Sequence, residues 1–436
     1  MKGLLIALAT LVAALPARAA ITIEDVTSPG GIRAWLVEDR TLPFVALELR
    51  FLGGSAVDPP GKRGAVNLMA GLLEEGAGEL DARAFAEARE ALAAGFSFGA
   101  NDDAVSVSAR FLTENRDASV ELLRKALVET RFDQDAIDRV RGQVLSSIES
   151  DATSPGSIAG RAFDRLAFGD HPYATSSDGT PESVAGLTRG DLVAARDAVL
   201  ARDRVYVAAV GDIDAATLGA LLDRLLGALP AEGAAPPGRA PFLVRGGVTV
   251  VDYASPQSTV VFGQAGIARD DPDFFAAFVL NQILGGSGFT ARLMAEVREK
   301  RGLTYGISTA LVTMQFADVW QGSFSSSNDK VAETVKVVRD EWARAAAGGV
   351  TDAELSAAKT YLTGAYPLRF DGNGPIAGIL VGMQMQGLPI DYVTTRNAKV
   401  EAVTTDDVRR VAARLMSADA LRFVVVGRPE GLASTD

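Results

Sequence analysis

The 436-residue chain has no cysteine and one histidine, His171. The missing cysteines rule out disulfide staples and a thiolate nucleophile, and leave no lipid attachment site on a matured N-terminus. Transition-metal sites of ordinary affinity draw on two or more His or Cys side chains, a set this chain does not possess. A Ser-His-Asp or Cys-His arrangement needs a positioned imidazole, and only His171 could supply one. Positive charge is also in deficit. Lys and Arg number 43 against 55 Asp and Glu, a formal charge of −12. Such a balance disfavours nucleic acid and anionic membrane surfaces as partners.

Long apolar runs are absent except at the N-terminus. There Lys2 precedes an apolar run over 4–15, broken only by Thr10, and Ala17-Arg18-Ala19 forms an A-x-A site. This is the layout of a secretory signal peptide, residues 1–19, cut after Ala19. The run is shorter than the roughly 20 residues a membrane span needs. The expectation is an exported, periplasmic protein without a membrane anchor. Loss of Lys2 and Arg18 would take its formal charge to −14.

The mature chain is too long for one compact domain, and it contains a repeat. Residues 187–214 read LTRGDLVAARDAVLARDRVYVAAVGDID, and residues 403–430 read VTTDDVRRVAARLMSADALRFVVVGRPE. Thr188 and Thr404, Asp191 and Asp407, Leu192 and Val408, and Gly211 and Gly427 are each separated by 216. Each unit is a Thr-x-x-Asp helix start, an amphipathic helix, and an apolar strand closed by glycine. Helix starts at Asp133 and Asp352 repeat at a similar spacing. The pattern predicts two homologous α+β sandwich domains over 21–235 and 245–436, each a largely antiparallel mixed sheet with helices on one side. The joining stretch, 229–241, is rich in Pro, Gly and Ala, with the linker proper at 236–244. Strands are expected at 21–23, 33–37, 44–51, 96–98, 105–111, 258–264 and 305–312. Helices are expected at 65–75, 82–93, 116–129, 135–151, 273–284 and 289–299.

Residues 285–305 read GGSGFTARLMAEVREKRGLTY. With Leu52-Gly53-Gly54-Ser55 before Asp58, and Gly169-Asp170-His171-Pro172-Tyr173 before Gly179-Thr180, they closely resemble the M16 metallopeptidases. This is the family of pitrilysin, insulin-degrading enzyme and mitochondrial processing peptidase. The resemblance spans nearly the whole mature chain. Active relatives carry His-x-x-Glu-His on the first long helix and a distal Glu. Two His one helical turn apart grip zinc while the Glu activates the metal-bound water. Here the corresponding positions hold Asn67, Ala70, Gly71 and Ser147. Glu74 and Glu75 lie one turn further on and read as the solvated end of the helix. The resemblance also implies a C-terminal Arg and Tyr facing the zinc across the chamber, placed at Arg298 and Tyr305. Without the family context, Arg298 reads as a surface charge and Tyr305 as a strand residue packed on the core.

Other signals are weaker. His171 reads as a turn residue, and Asn101-Asp102-Asp103 as a plain turn. Ser327-x-x-Lys330 and Ser356-x-x-Lys359 match a serine–lysine hydrolase pattern without its companion motifs. The glycines at 285, 286 and 288 suit a sharp turn between helices. The resemblance therefore implies a non-catalytic subunit holding no cofactor of its own. Its partner would be a homologous His-x-x-Glu-His subunit carrying zinc, and an extended peptide would be the substrate. A dead peptide-binding or scaffold protein, homodimeric in one form, is the alternative.

Overall fold

The computed structural model describes residues 21–286, 288 and 290–435. The signal peptide expected at 1–19 lies outside the described residues. The first half builds β1 (Glu24–Thr27), β2 (Arg33–Glu38), β3 (Phe44–Leu52), α1 (Ala65–Ala70), the short β4 (Gly76–Ala77) and β5 (Leu80–Asp81), α2 (Ala82–Ala91), β6 (Gly95–Ala100) and β7 (Ala104–Leu112). It continues with α3 (Arg116–Val128), α4 (Gln134–Thr153), α5 (Pro155–Phe168), α6 (Pro181–Ala185), α7 (Arg189–Val199), β8 (Val205–Gly211) and α8 (Ala215–Leu226). The second half contains β9 (Gly247–Asp252), β10 (Gln257–Ala265), α9 (Phe274–Gly285), β11 (Ile307–Thr313), β12 (Asp318–Ser327) and α10 (Val331–Ala346). It closes with α11 (Asp352–Ala365), α12 (Asn373–Met385), α13 (Tyr392–Glu401), α14 (Thr405–Leu415) and β13 (Arg422–Gly427).

The two large sheets share one topology. The first runs β1-β2-β8-β3-β7-β6 and the second β11-β12-β10-β13-β9. Apart from the extra edge strand β1, the strand after the repeated helix pairs parallel with β2 in the first sheet and with β9 in the second (β2·β8, β9·β13), and antiparallel with the strand that follows each of these (β3·β8, β10·β13). The repeated helices start alike. Thr188 and Asp191 form a reciprocal capping box on α7, as Thr404 and Asp407 do on α14. Each box satisfies two otherwise orphaned backbone donors. The closing glycines have a steric reason as well. Gly211 and Gly427 have φ of +138° and +158°. A Cβ at Gly211 would sit 2.2 Å from Phe44 O, and one at Gly427 2.3 Å from Ser258 Oγ.

Strand β3 shows how the layers form. Val45, Leu47, Leu49 and Phe51 alternate onto the helix-covered face and are almost wholly buried. Ala46 points the other way, against Ala377 and Leu380 of α12, as the two-residue period of a strand requires. That second face holds what periodicity did not show. Helix α12, from the second half, covers the back of the first sheet, where it meets Trp35, Ala208 and Val210. Helix α5, from the first half, covers the back of the second sheet, with Phe163 and Phe168 against Val319, Val424 and Val426. The halves exchange one helix each, so two of the four apolar clusters draw on both.

Three elements differ from expectation, besides the strand expected over 305–312, which begins at Ile307. The first strand begins at Glu24 rather than 21. The helix expected over 65–75 ends at Ala70, because Gly71 caps it and the chain turns through 71–74. The helix expected over 289–299 is helical only from Arg292, with a wide π-type turn over Met294–Glu299, and Phe289 lies outside the described residues.

Asp164 on α5 lies at the seam between the halves. Among the described residues it has no hydrogen bond or ion pair, and burial pushes its carboxyl up to about 7, with Asp102 adding to the shift. The folded state thus holds the proton more tightly than the unfolded chain. Asp164's contribution to stability is complete below about pH 4 and is lost as pH rises through about 7, at roughly 1.4 kcal/mol per pH unit at most. Asp164→Asn should match the parent near pH 4 and exceed it at pH 8 in urea denaturation. An equal midpoint difference at both pH values would contradict this.

Candidate functional site

Helix α1 is held at its start by groups from distant parts of the chain. The Asp58 carboxylate accepts from Gly64 N at 2.8 Å and Val66 N at 3.0 Å, and its side chain is 1% exposed. Arg63 is the hub. Its guanidinium donates to Ser55 O and the Asp102 carboxylate, and to Pro172 O and Thr175 O, both at 3.1 Å. Arg63 O accepts from Ser183 Oγ at 2.7 Å. The segments around Ser55, Asp58 and Tyr173 that carried the family resemblance therefore converge on one arginine. They are scaffold for the helix rather than reacting groups. Asp102 and Asp103 belong to the same network. Asn101 Oδ1 accepts from Asp103 N and Ala104 N, both at 2.8 Å, and Asp103 accepts from the Tyr173 hydroxyl and from Gln315 N at 3.1 Å.

On that helix Asn67 Nδ2 donates to Asp178 Oδ1 at 3.0 Å. Ala70 is buried. Gly71 stands where the helix stops, and a Cβ there would meet Val140 Cγ1 of α4 at 3.2 Å. Ser147, also on α4, is exposed. Glu74 and Glu75 are not a solvated helix end. Beyond the last helical turn each is drawn into an ion pair, with Arg89 and Arg139 respectively.

The second group of candidates lies on the other half. Glu296 is clamped by Lys300 at 2.6 Å and Arg301 at 2.7 Å, which together hold its carboxyl down at about 2. Arg292 is buried against Glu354 at 2.7 Å. Arg298, half-buried, lies in the π-type turn, and its carbonyl accepts from Gly302 N at 2.9 Å. The strand expected over 305–312 begins at Ile307, and Tyr305 occupies the turn before it. Thr304 Oγ1 pins that turn to Gly306 O at 2.9 Å and Ser325 O at 2.6 Å. Tyr305 itself is 89% exposed, so it is no core residue. It lines a groove of about 600 Å³ with Gln257 and Thr259 of β10, Ile307 of β11 and Ser323 of β12, β11 being the edge strand of the second sheet. Arg298 does not line this groove, and neither does any described residue of the first half.

Comparison with known proteins decides the family. The model described as "Insulinase (Peptidase family M16)" matches residues 33–178, and "Peptidase M16 inactive domain" matches 186–362. A crystal structure of a peptidase M16 inactive domain from Pseudomonas fluorescens superposes with a TM-score of 0.88 at 31% identity, covering 95% of this chain and 100% of that one. The chain belongs to peptidase family M16. Its M16 relatives include an uncharacterized zinc protease of Streptomyces coelicolor, 28% identical over 407 residues (90% of this chain, 86% of that protein). They also include the non-peptidase homolog YmxG of Helicobacter pylori, 26% identical over 400 residues (89% and 90%).

The residues of this M16 chain do not fit zinc. The positions that the resemblance assigns to zinc, Asn67, Ala70, Gly71 and Ser147, hold an amide, two groups without donors and an exposed hydroxyl, where zinc needs imidazole and carboxylate. The Asn67 amide is already bound to Asp178. Among the described residues no group of three or more His, Cys, Asp or Glu is placed to hold a metal ion. His171 is a satisfied turn residue. Its Nδ1 accepts from Tyr173 N at 3.2 Å, and its Nε2 lies 3.1 Å from Gly238 O. Lys359 donates to Glu401 O at 2.7 Å and Lys330 to Gly302 O at 3.2 Å, so neither lysine is committed to the serine three residues before it. No described helix is long and apolar enough to cross a membrane.

Proposed function

We propose that this chain is the non-catalytic subunit of a heterodimeric, periplasmic M16-type zinc endopeptidase. It closes the peptide chamber and presents Arg298 and Tyr305 to substrate bound at the zinc of a homologous His-x-x-Glu-His subunit. The observation that carries this reading is a contrast between the two halves. The four zinc positions hold Asn67, Ala70, Gly71 and Ser147, while the Tyr305 phenol stands 89% exposed over a groove. A large aromatic held out in water contributes nothing to the core, and a phenol is a good donor to a peptide carbonyl or a developing oxyanion. Strand β11 beside it is the terminal strand of its sheet, the kind of position at which an extended peptide adds as a further strand. The names of two of its relatives, a non-peptidase homolog and an inactive domain, point the same way.

The test is reconstitution. The mature chain is purified, assayed for zinc by mass spectrometry, and mixed with a homologous subunit bearing His-x-x-Glu-His. Alone it is expected to hold no stoichiometric zinc and to leave a quenched fluorescent peptide intact. The mixture is expected to elute as a 1:1 complex that cleaves the peptide. Zinc at one equivalent with unaided cleavage would defeat the proposal. So would a homodimer that persists unchanged in the presence of the second subunit.

A further inference from the structure

Helix α12 has two unlike faces. One carries Ala377, Leu380 and Val381 onto the first sheet. Another carries Gly374, Gly378 and Gly382 at every fourth position, and a Cβ built on any of them meets no atom within 4 Å. Gly378 and Gly382 border a pocket of about 790 Å³ between α9, β11, α12 and α13, a size suited to a small organic ligand. Phe274, Phe278, Leu311 and Met383 make its walls apolar.

Its charged groups are all of one sign. Arg269, Arg369 and Arg396 line it, and no Asp or Glu does. This is unexpected in a chain of formal charge −12. Arg396 is 6% exposed, and Arg292 is the other arginine buried to that degree among the described residues. Arg292 has Glu354 as its counter-ion. Arg396 has no carboxylate partner among the described residues. Its Nη1 donates to Leu362 O at 2.7 Å and Asn397 Oδ1 at 2.9 Å, and its guanidinium lies over Tyr366 at 4.5 Å and Phe278 at 5.3 Å. Arg269 lies over Phe274 at 4.0 Å and donates to the Tyr392 hydroxyl. Arg369, at the exposed side, makes no ion pair among the described residues. Burial pushes the Tyr366 phenol up while all three arginines act against that shift, so they share one neighbourhood. Converging like charges in a partly desolvated pocket oppose one another, and an anion between them removes the opposition.

We infer that this pocket binds an organic oxyanion, a carboxylate or phosphate head joined to an apolar body. Arg369 and Arg396 take the head with forked guanidinium donors, and Arg269 adds charge at the rim. The body lies on the phenylalanines, in the width that the glycine stripe leaves open. None of the residues lining this pocket lines the Tyr305 groove, so the inference stands or falls apart from the proposed function.

Calorimetric titration of the mature chain with N-acetylphenylalanine, its neutral amide and phenyl phosphate tests it. Both anions should bind, with the amide about tenfold weaker or more. Whichever anion binds tighter identifies the head group. Arg369→Ala should weaken the anions about tenfold and leave the amide unchanged. Gly382→Leu should abolish binding without lowering the melting temperature, since the position has room and a helix interior prefers leucine to glycine. The inference is overturned if neither anion binds or if the amide binds as well as the acid. It is also overturned if both variants keep the parent affinity.

Discussion

Arg63→Ala is expected to destabilise the protein by about 3–5 kcal/mol, the range for removing one partner from a buried charge network. Arg63 is 13% exposed and Asp58 1% exposed, and Asp102 accepts from the same guanidinium. Without it the buried Asp58 and the half-buried Asp102 are left facing each other, and the loops at Ser55, Pro172 and Thr175 lose a shared donor. The deficit should depend on pH. Burial already pushes Asp58 up to about 6, and it raises Asp102 as well, against the pull of Arg63. A carboxyl raised in the folded state supports folding at low pH and ceases to do so as pH climbs through its folded value. Deleting the arginine raises both further, so the loss should be larger at pH 8 than at pH 5. Arg63→Lys should recover part of it, since lysine restores charge but not the fork that spans several acceptors. Urea denaturation of the three proteins at both pH values measures this. A loss below about 1 kcal/mol, the usual scale for a surface ion pair, would demote Arg63 from hub to ornament.

Within the mixed complex, Tyr305→Phe is expected to lower kcat/KM by about 10²–10³-fold, the effect of deleting one donor to a developing oxyanion. The melting temperature should not move, because an 89% exposed side chain contributes little to packing. Arg298→Ala should also lower kcat/KM. A fall in kcat would place either residue on the transition state, and a rise in KM alone would place it on ground-state peptide binding. Cleavage undiminished in both variants would strip the pair of its assigned roles and leave the chain as a scaffold.

Much of this molecule is visible along the chain because the signals are local. Strand β3 alternates every second residue, and the Thr188 and Thr404 boxes span four residues each. Two elements failed for local reasons too. Periodicity carried the first helix past Gly71, where capping by glycine stopped it, and it placed Tyr305 in a strand that starts two residues later. The remaining misses are long-range. Arg63 contacts Pro172 and Thr175 across more than a hundred residues, and Gln384 of α12 donates to Val207 O across 177. Arg269, Arg369 and Arg396 carry no shared spacing that would group them before the chain is folded.

The amino-acid sequence by itself determined which donor atoms this protein lacks, with no cysteine and a single imidazole. A zinc site requires donor atoms, and no folding can supply imidazole or carboxylate to positions that encode Asn67, Ala70, Gly71 and Ser147. Its duplication was equally plain, being written in equal spacings. Only the tertiary structure decided how the halves share helices α5 and α12, that Tyr305 stands in solvent, and that three guanidinium groups meet in one pocket with no carboxylate among the described residues lining it. Burial and charge convergence depend on contacts between residues far apart in the chain, and no local pattern encodes those.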